Sequence, residues 1–128
     1  MPALLEVKLL IDGGYTQKAL NRIQAIPKES LKTLNDRLEY NFRYGRIFEE
    51  SEHAAKAILF YTAAIKDGRN ETAYFAARAA LQTGFIYEKQ GNKAEAIRSY
   101  KDCLSMRNHD FQSSIDQQAK AGLNRLGN

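Results

Sequence analysis

The sequence predicts an all-α chain of three antiparallel helix hairpins in a row, closed by one further helix. Three observations carry that prediction. The 128 residues are dominated by Ala, Leu, Ile, Lys, Glu, Gln and Arg, with valine nearly absent and only two prolines, a composition that favours helix. Apolar residues recur at helical spacing in seven segments separated by short turns. The segments also repeat. Gly45 and Gly84, Phe48 and Tyr87, Ala57 and Ala96, Tyr61 and Tyr100, and Ile65 and Leu104 are each 39 apart, and Ala19–Ala57 and Ile23–Tyr61 are 38 apart. Within each pair of segments Leu10–Ala19, Phe48–Ala57 and Tyr87–Ala96 are all nine apart.

The elements follow in order. Residues 3–12 form a short amphipathic helix, broken at Asp12-Gly13-Gly14. That glycine pair has neither a preceding strand nor a following GK[ST], so it reads as an interhelical turn and not as a phosphate loop. Thr16 is placed to cap a second helix, which ends at Pro27. A long helix starts from Ser30 or Thr33 and runs to Glu50, with a buried stripe of Leu31, Leu34, Leu38, Tyr44, Gly45 and Phe48. After the Ser51-Glu52 turn its partner runs from His53 to Lys66 and is stopped by Asp67-Gly68.

Asn70 is expected to cap the next helix. Gly91 ends it in the left-handed conformation that costs glycine little. Asn92 caps the following helix, with Glu95 completing a capping-box-like pair. Gly84, inside a helix at a cost of about 1 kcal/mol against alanine, marks a close approach. The expected facing residue is Ala96, with Tyr87 and Tyr100 filling the space above and below. The last helix, about 110–126, carries Phe111, Ile115, Ala119, Gly122, Leu123 and Leu126 on one stripe. The hairpins so predicted span about 3–26, 31–67 and 70–107, in a single domain.

The run Ala80-x2-Thr83-Gly84-x2-Tyr87, then Ala96-x3-Tyr100, resembles the tetratricopeptide repeat in its Gly, Tyr, Ala and second aromatic; the family's Trp, Leu and Pro are not matched. The period exceeds the family's usual 34 or so, with the extra residues at 27–30, at 67–70 and in lengthened first helices. Helical hairpin repeats of the HEAT type, at roughly 40–47 residues, are the structural alternative. The resemblance implies a right-handed α-α superhelix whose first helices line a concave face, with the final helix as its cap. The first hairpin has no matching cap in front, so the chain is expected to be the C-terminal piece of a longer repeat protein.

Composition and motifs bound the function. The net charge is +4, but no run of five like charges occurs, so the surface reads as mixed and solvated. No apolar run approaches the roughly 20 residues of a membrane span. No signal-peptide pattern stands at the N-terminus, which leaves the compartment open and favours the cytoplasm. His53 and His109 lack a second ligand at metal spacing, and Cys103, on an inner helix face, reads as a buried inert thiol. Carboxylate pairs such as Glu49-Glu50 fit helix surfaces. No cofactor is implied and no enzymatic activity is expected.

The function expected is a protein-interaction scaffold that binds a peptide or helix, of a partner or of its parent chain, in a concave groove. On the second hairpin Glu39, Phe42, Arg46 and Glu49 share one stripe; on the third Arg78, Leu81, Phe85 and Glu88 do; on the first Leu4, Lys8 and Ile11 match. Arg43 and Gln82 flank it. The candidate partner-binding residues are therefore Lys8, Phe42, Arg43, Arg46, Arg78, Gln82 and Phe85, with arginines over packed apolar side chains as the plain structural alternative. The family's carboxylate clamp for peptide C-termini is matched only by Lys8 and the arginines, without its asparagines. A nucleic-acid-binding helical repeat, prompted by a pI near 9.2, and a purely structural capping domain are the competing readings. Leu4, Leu5, Leu9 and Leu10 exceed what one short hairpin can bury, so the N-terminal hairpin is expected to self-associate or to meet upstream repeats.

Overall fold

The computed structural model describes residues 1–128 as seven α-helices with no strand. They are α1 (Ala3–Asp12), α2 (Thr16–Gln24), α3 (Leu34–Glu50), α4 (Ala54–Gly68), α5 (Phe75–Lys89), α6 (Lys93–Ser105) and α7 (Gln112–Arg125), with a 3₁₀ turn at Lys28–Ser30. No helix is long and apolar enough to cross a membrane.

Local chemistry sets most of the ends. Thr33 Oγ1 accepts from the Asp36 N–H at 3.0 Å and starts α3. Asn92 accepts from the Glu95 N–H at 3.3 Å and starts α6. Only half of the expected capping box forms: the Asn92 N–H donates to the Tyr87 carbonyl at 2.9 Å, and the Glu95 carboxylate pairs with Arg98 at 2.7 Å. Gly91 has φ +76°, the left-handed stop expected after α5.

Three expected ends move. Thr16 is the first residue of α2 and makes no side-chain cap. Asn70 does not cap α5, which begins five residues later at Phe75; Arg69 in the intervening turn makes a two-pronged ion pair with Asp102 of α6, at 2.8 and 3.0 Å. Phe111 leaves the predicted apolar stripe. It sits at φ +57° just before α7 and is 69% exposed.

The core divides into three clusters, each a hairpin plus the next odd-numbered helix. Val7, Ala19 and Ile23 of the first hairpin meet Tyr40, Tyr44 and Ile47 of α3. Phe42, Ala57 and Tyr61 of the second meet Phe75, Ala79 and Ile86 of α5. Leu81, Ala96, Tyr100 and Cys103 of the third meet Ile115, Ala119 and Leu123 of α7. Thus α7 covers the third hairpin as α5 covers the second. Along the array the backbones of α1 and α3, of α3 and α5 and of α5 and α7 approach closely, whereas those of α2 and α4, and of α4 and α6, stay apart. The odd-numbered helices thus form the side of the row along which successive hairpins meet directly.

The 39-residue spacing has a physical unit behind it. A Cβ built on Gly45 would lie 2.4 Å from the Tyr61 ring, and one on Gly84 would lie 2.4 Å from the Tyr100 ring. Each glycine is therefore the seat of a tyrosine from its partner helix; Tyr100, and not Ala96, is what Gly84 makes room for. The phenol then reaches a carboxylate one turn beyond the glycine: Tyr61 donates to Glu49 and Tyr100 to Glu88, both at 2.6 Å. At the matching positions of the first hairpin stand Val7, Ile11 and Ile23, all buried. The first copy keeps the geometry with apolar filling and no polar latch.

Candidate functional site

The ends of the odd-numbered helices carry the polar junctions between successive hairpins and α7. Glu49, near the end of α3, gathers three donors on a single oxygen, Oε1: the Tyr61 hydroxyl at 2.6 Å, Gln82 Nε2 at 2.8 Å and Arg46 at 3.1 Å. Gln82 comes from α5, so the contact ties one hairpin to the next. Glu88 at the end of α5 does the same toward α7: Arg125 binds its two oxygens at 2.9 and 3.0 Å. Hydrogen bonding to Arg125, then to Tyr100, holds the Glu88 carboxyl below the usual range. Burial first, and the partner carboxylate next, push the Tyr61 and Tyr100 phenols up. Both phenols therefore stay protonated and donating.

Between the α3–α4 turn and the end of α5 opens a cleft of about 570 Å³. Ala54, Phe85 and Ile86 supply its apolar lining; Glu49, Glu50, Glu52 and Lys89 stand around it. A shallower hollow continues it across Phe85 and Lys89 to Glu88 and Arg125. The Phe85 ring, half-buried, rests edge-on against Tyr100 with centroids 6.0 Å apart, which fixes its orientation.

The residues singled out in the sequence divide between this surface and the interior. Phe85 lines the cleft. Arg46 lies beside it, 26% exposed, with its terminal nitrogens on Glu49 at 3.1 Å and Glu50 at 2.8 Å. Gln82 is 5% exposed and serves the Glu49 junction. Phe42 is 3% exposed, its ring against Tyr61, Tyr74 and Phe75. Arg43 is 7% exposed; it bonds Glu39 and the Tyr74 hydroxyl and lies 5.2 and 5.7 Å from the Phe42 and Phe75 ring centroids. Arg78 is half-buried, near enough to Cys103 to act on its thiol. Lys8 stands apart on α1, paired with Asp12 at 2.9 Å.

Phe42 and Arg43 are covered because Tyr74 and Phe75, at the start of α5, lie across the middle of α3, so the stripe read along one helix is interrupted by the next. Sequence reasoning missed the cleft residues Glu50, Glu52, Ala54 and Lys89, and Arg125 on α7. The signal available was the repeated Gly-x3-Glu, Gly45/Glu49 and Gly84/Glu88, with a tyrosine twelve residues after each Glu. Cys103 is fully buried, and burial, then the nearby Asp116 and Asp102 carboxylates, push its thiol up to about 12. The arrangement at the cleft is suited to recognition: an apolar floor with ionised groups that can pair with a polypeptide.

Residues 70–110 match the family model of the tetratricopeptide repeat. No curated protein and no solved structure matches the chain.

Proposed function

We propose that this chain, which carries a tetratricopeptide repeat in its third hairpin, holds a peptide or helix of a partner in the inner groove formed at the ends of α3, α5 and α7. The tetratricopeptide repeat is a protein-interaction module, and stacked repeats of this kind present extended concave binding surfaces. The observation that carries the finer reading is the cleft at Phe85: a half-buried aromatic ring, braced by Tyr100, at the floor of an open space rimmed by charge. An aromatic face held in place loses little entropy on binding and accepts an apolar anchor.

The test is selection from a random peptide library on the folded chain, followed by binding of the selected peptides to two variants. Phe85→Ala removes the floor. Ala54→Gln fills the cleft from its rim, at a partly exposed position on the edge of the second core cluster. Peptides that bind the wild type and lose most of their affinity for both variants, each shown folded by circular dichroism, support the reading. Peptides indifferent to both substitutions contradict it, and so does tight binding of single-stranded RNA at physiological salt.

A further inference from the structure

We propose that the cleft at Phe85 takes a partner segment in which an apolar side chain is flanked by lysine or arginine, and not one that presents carboxylates. The proposal rests on the groove reading above and adds the chemistry of the occupant. The arginines along α3, α5 and α7 suggest the opposite preference, but Arg78 does not line the cleft, and Arg43, Arg46 and Arg125 are already paired. Arg43 is buried on Glu39. Arg46 spends its terminal nitrogens on Glu49 and Glu50. Arg125 is closed on both oxygens of Glu88. A carboxylate entering the groove would either displace one of these charge-assisted pairs or depend on Lys89 alone, whose charge stands among three glutamates.

The acids are in the reverse position. The donors to Glu49 converge on Oε1, which leaves Oε2 uncommitted. Glu50 has its ion pair on Oε1 alone. Glu52 has only a 3.8 Å contact with Lys89, and both side chains are more than 80% exposed. Three carboxylates therefore stand around a cleft whose own lining cation, Lys89, is loosely held. In a chain whose formal charge is +4, this local excess of acid is set against the average. A lysine or arginine beside the anchor would lay its methylenes along Phe85 and Ile86 and bring its charge to the free oxygens. Charge complementarity of this kind sets register and selects partners.

The experiment is the charge content of the peptides selected from the random library, compared between the wild type and Glu50→Lys/Glu52→Lys. Both substituted residues are exposed, so the variant is expected to stay folded. On the wild type, Lys and Arg should be enriched next to an apolar residue. The variant should bind those peptides about tenfold more weakly at low salt, the sum expected of two exposed ion pairs, and the difference should shrink as salt is raised. Enrichment of Asp and Glu, no charge preference, or affinities unchanged in the variant would overturn the proposal. If such peptides still require Phe85, the groove reading survives and only the charge inference fails. If no selected peptide requires Phe85, or none is enriched, both fail.

Discussion

Alanine in place of Gly84 should destabilise this protein, although the same change in most helix interiors stabilises by about 1 kcal/mol through helix propensity. The added Cβ would lie 2.4, 2.6 and 2.9 Å from three atoms of the Tyr100 ring, where ordinary contacts begin at 3.4 Å. Ring and helix would have to separate by about 1 Å. The ring has nowhere to go. It is fully buried, its hydroxyl is held by Glu88 at 2.6 Å, and its far edge lies against α7, where a Cβ on Gly122 would stand 2.5 Å away. Overpacking with no relief costs about 3 kcal/mol, so about 2 kcal/mol remains after the propensity gain. For a chain of this length that lowers Tm by about 7 °C. Thermal unfolding followed by circular dichroism reads it. Gly45→Ala, 2.4 Å from Tyr61, should fall in the same direction, and Lys101→Ala, on an exposed face, should change stability by less than about 0.5 kcal/mol. In a Tyr100→Leu background the Gly84→Ala penalty should vanish. A Tm raised by Gly84→Ala in the wild-type background refutes the packing of the repeat.

Other consequences can be read at the bench. The Glu88 carboxyl is held below its ordinary value, so its contribution to stability is complete above the unfolded-state pKa of about 4.3 and is lost as pH falls through the folded value. The stability advantage of wild type over Glu88→Gln should therefore be constant at neutral pH and shrink in acid; an advantage that grows in acid contradicts the Arg125–Glu88–Tyr100 latch. Cys103, with its thiol near 12 and no exposed surface, should resist alkylation in the native protein at pH 8 and react on unfolding; rapid native labelling contradicts its burial. Leu5 and Leu9, 43% and 47% exposed on one side of α1, predict concentration-dependent self-association. Light scattering should detect it in the wild type and not in Leu5→Glu/Leu9→Glu, and a strict monomer at high concentration would count against it.

The repeating parts of the fold were legible because they are local or periodic. The 39-residue spacing, Gly91 at the end of α5, Asn92 as a cap, Thr33 as one of two candidate starts of α3, and the close approach at Gly84 all follow from residue type and interval. What was not legible depends on a third element. Asn70 has a good cap chemistry, but α5 begins at Phe75, whose ring packs on Phe42 with centroids 5.7 Å apart, and the chain before it folds as a turn. Phe42 falls on the same helical stripe as Arg46, with Arg43 flanking it, and only the neighbouring α5 separates them into buried and accessible. Phe111 looked apolar enough for the α7 stripe, yet Ile115 is the residue that reaches the core. The cleft eluded the sequence for the same reason. Its walls come from two elements about 35 residues apart, and the Glu49 carboxylate at its edge is held by Tyr61 and Gln82 from two further helices, which no single helix reveals.

The most direct test of the groove is the amide chemical-shift map of the labelled protein titrated with a peptide selected from the library. Shifts concentrated at Glu49, Glu50, Glu52, Ala54, Phe85 and Lys89 are the result expected from the inner cleft. Shifts concentrated instead on the opposite side, at Ile58, Thr62, Arg98 and Ser99 in the gap between α4 and α6, would contradict it.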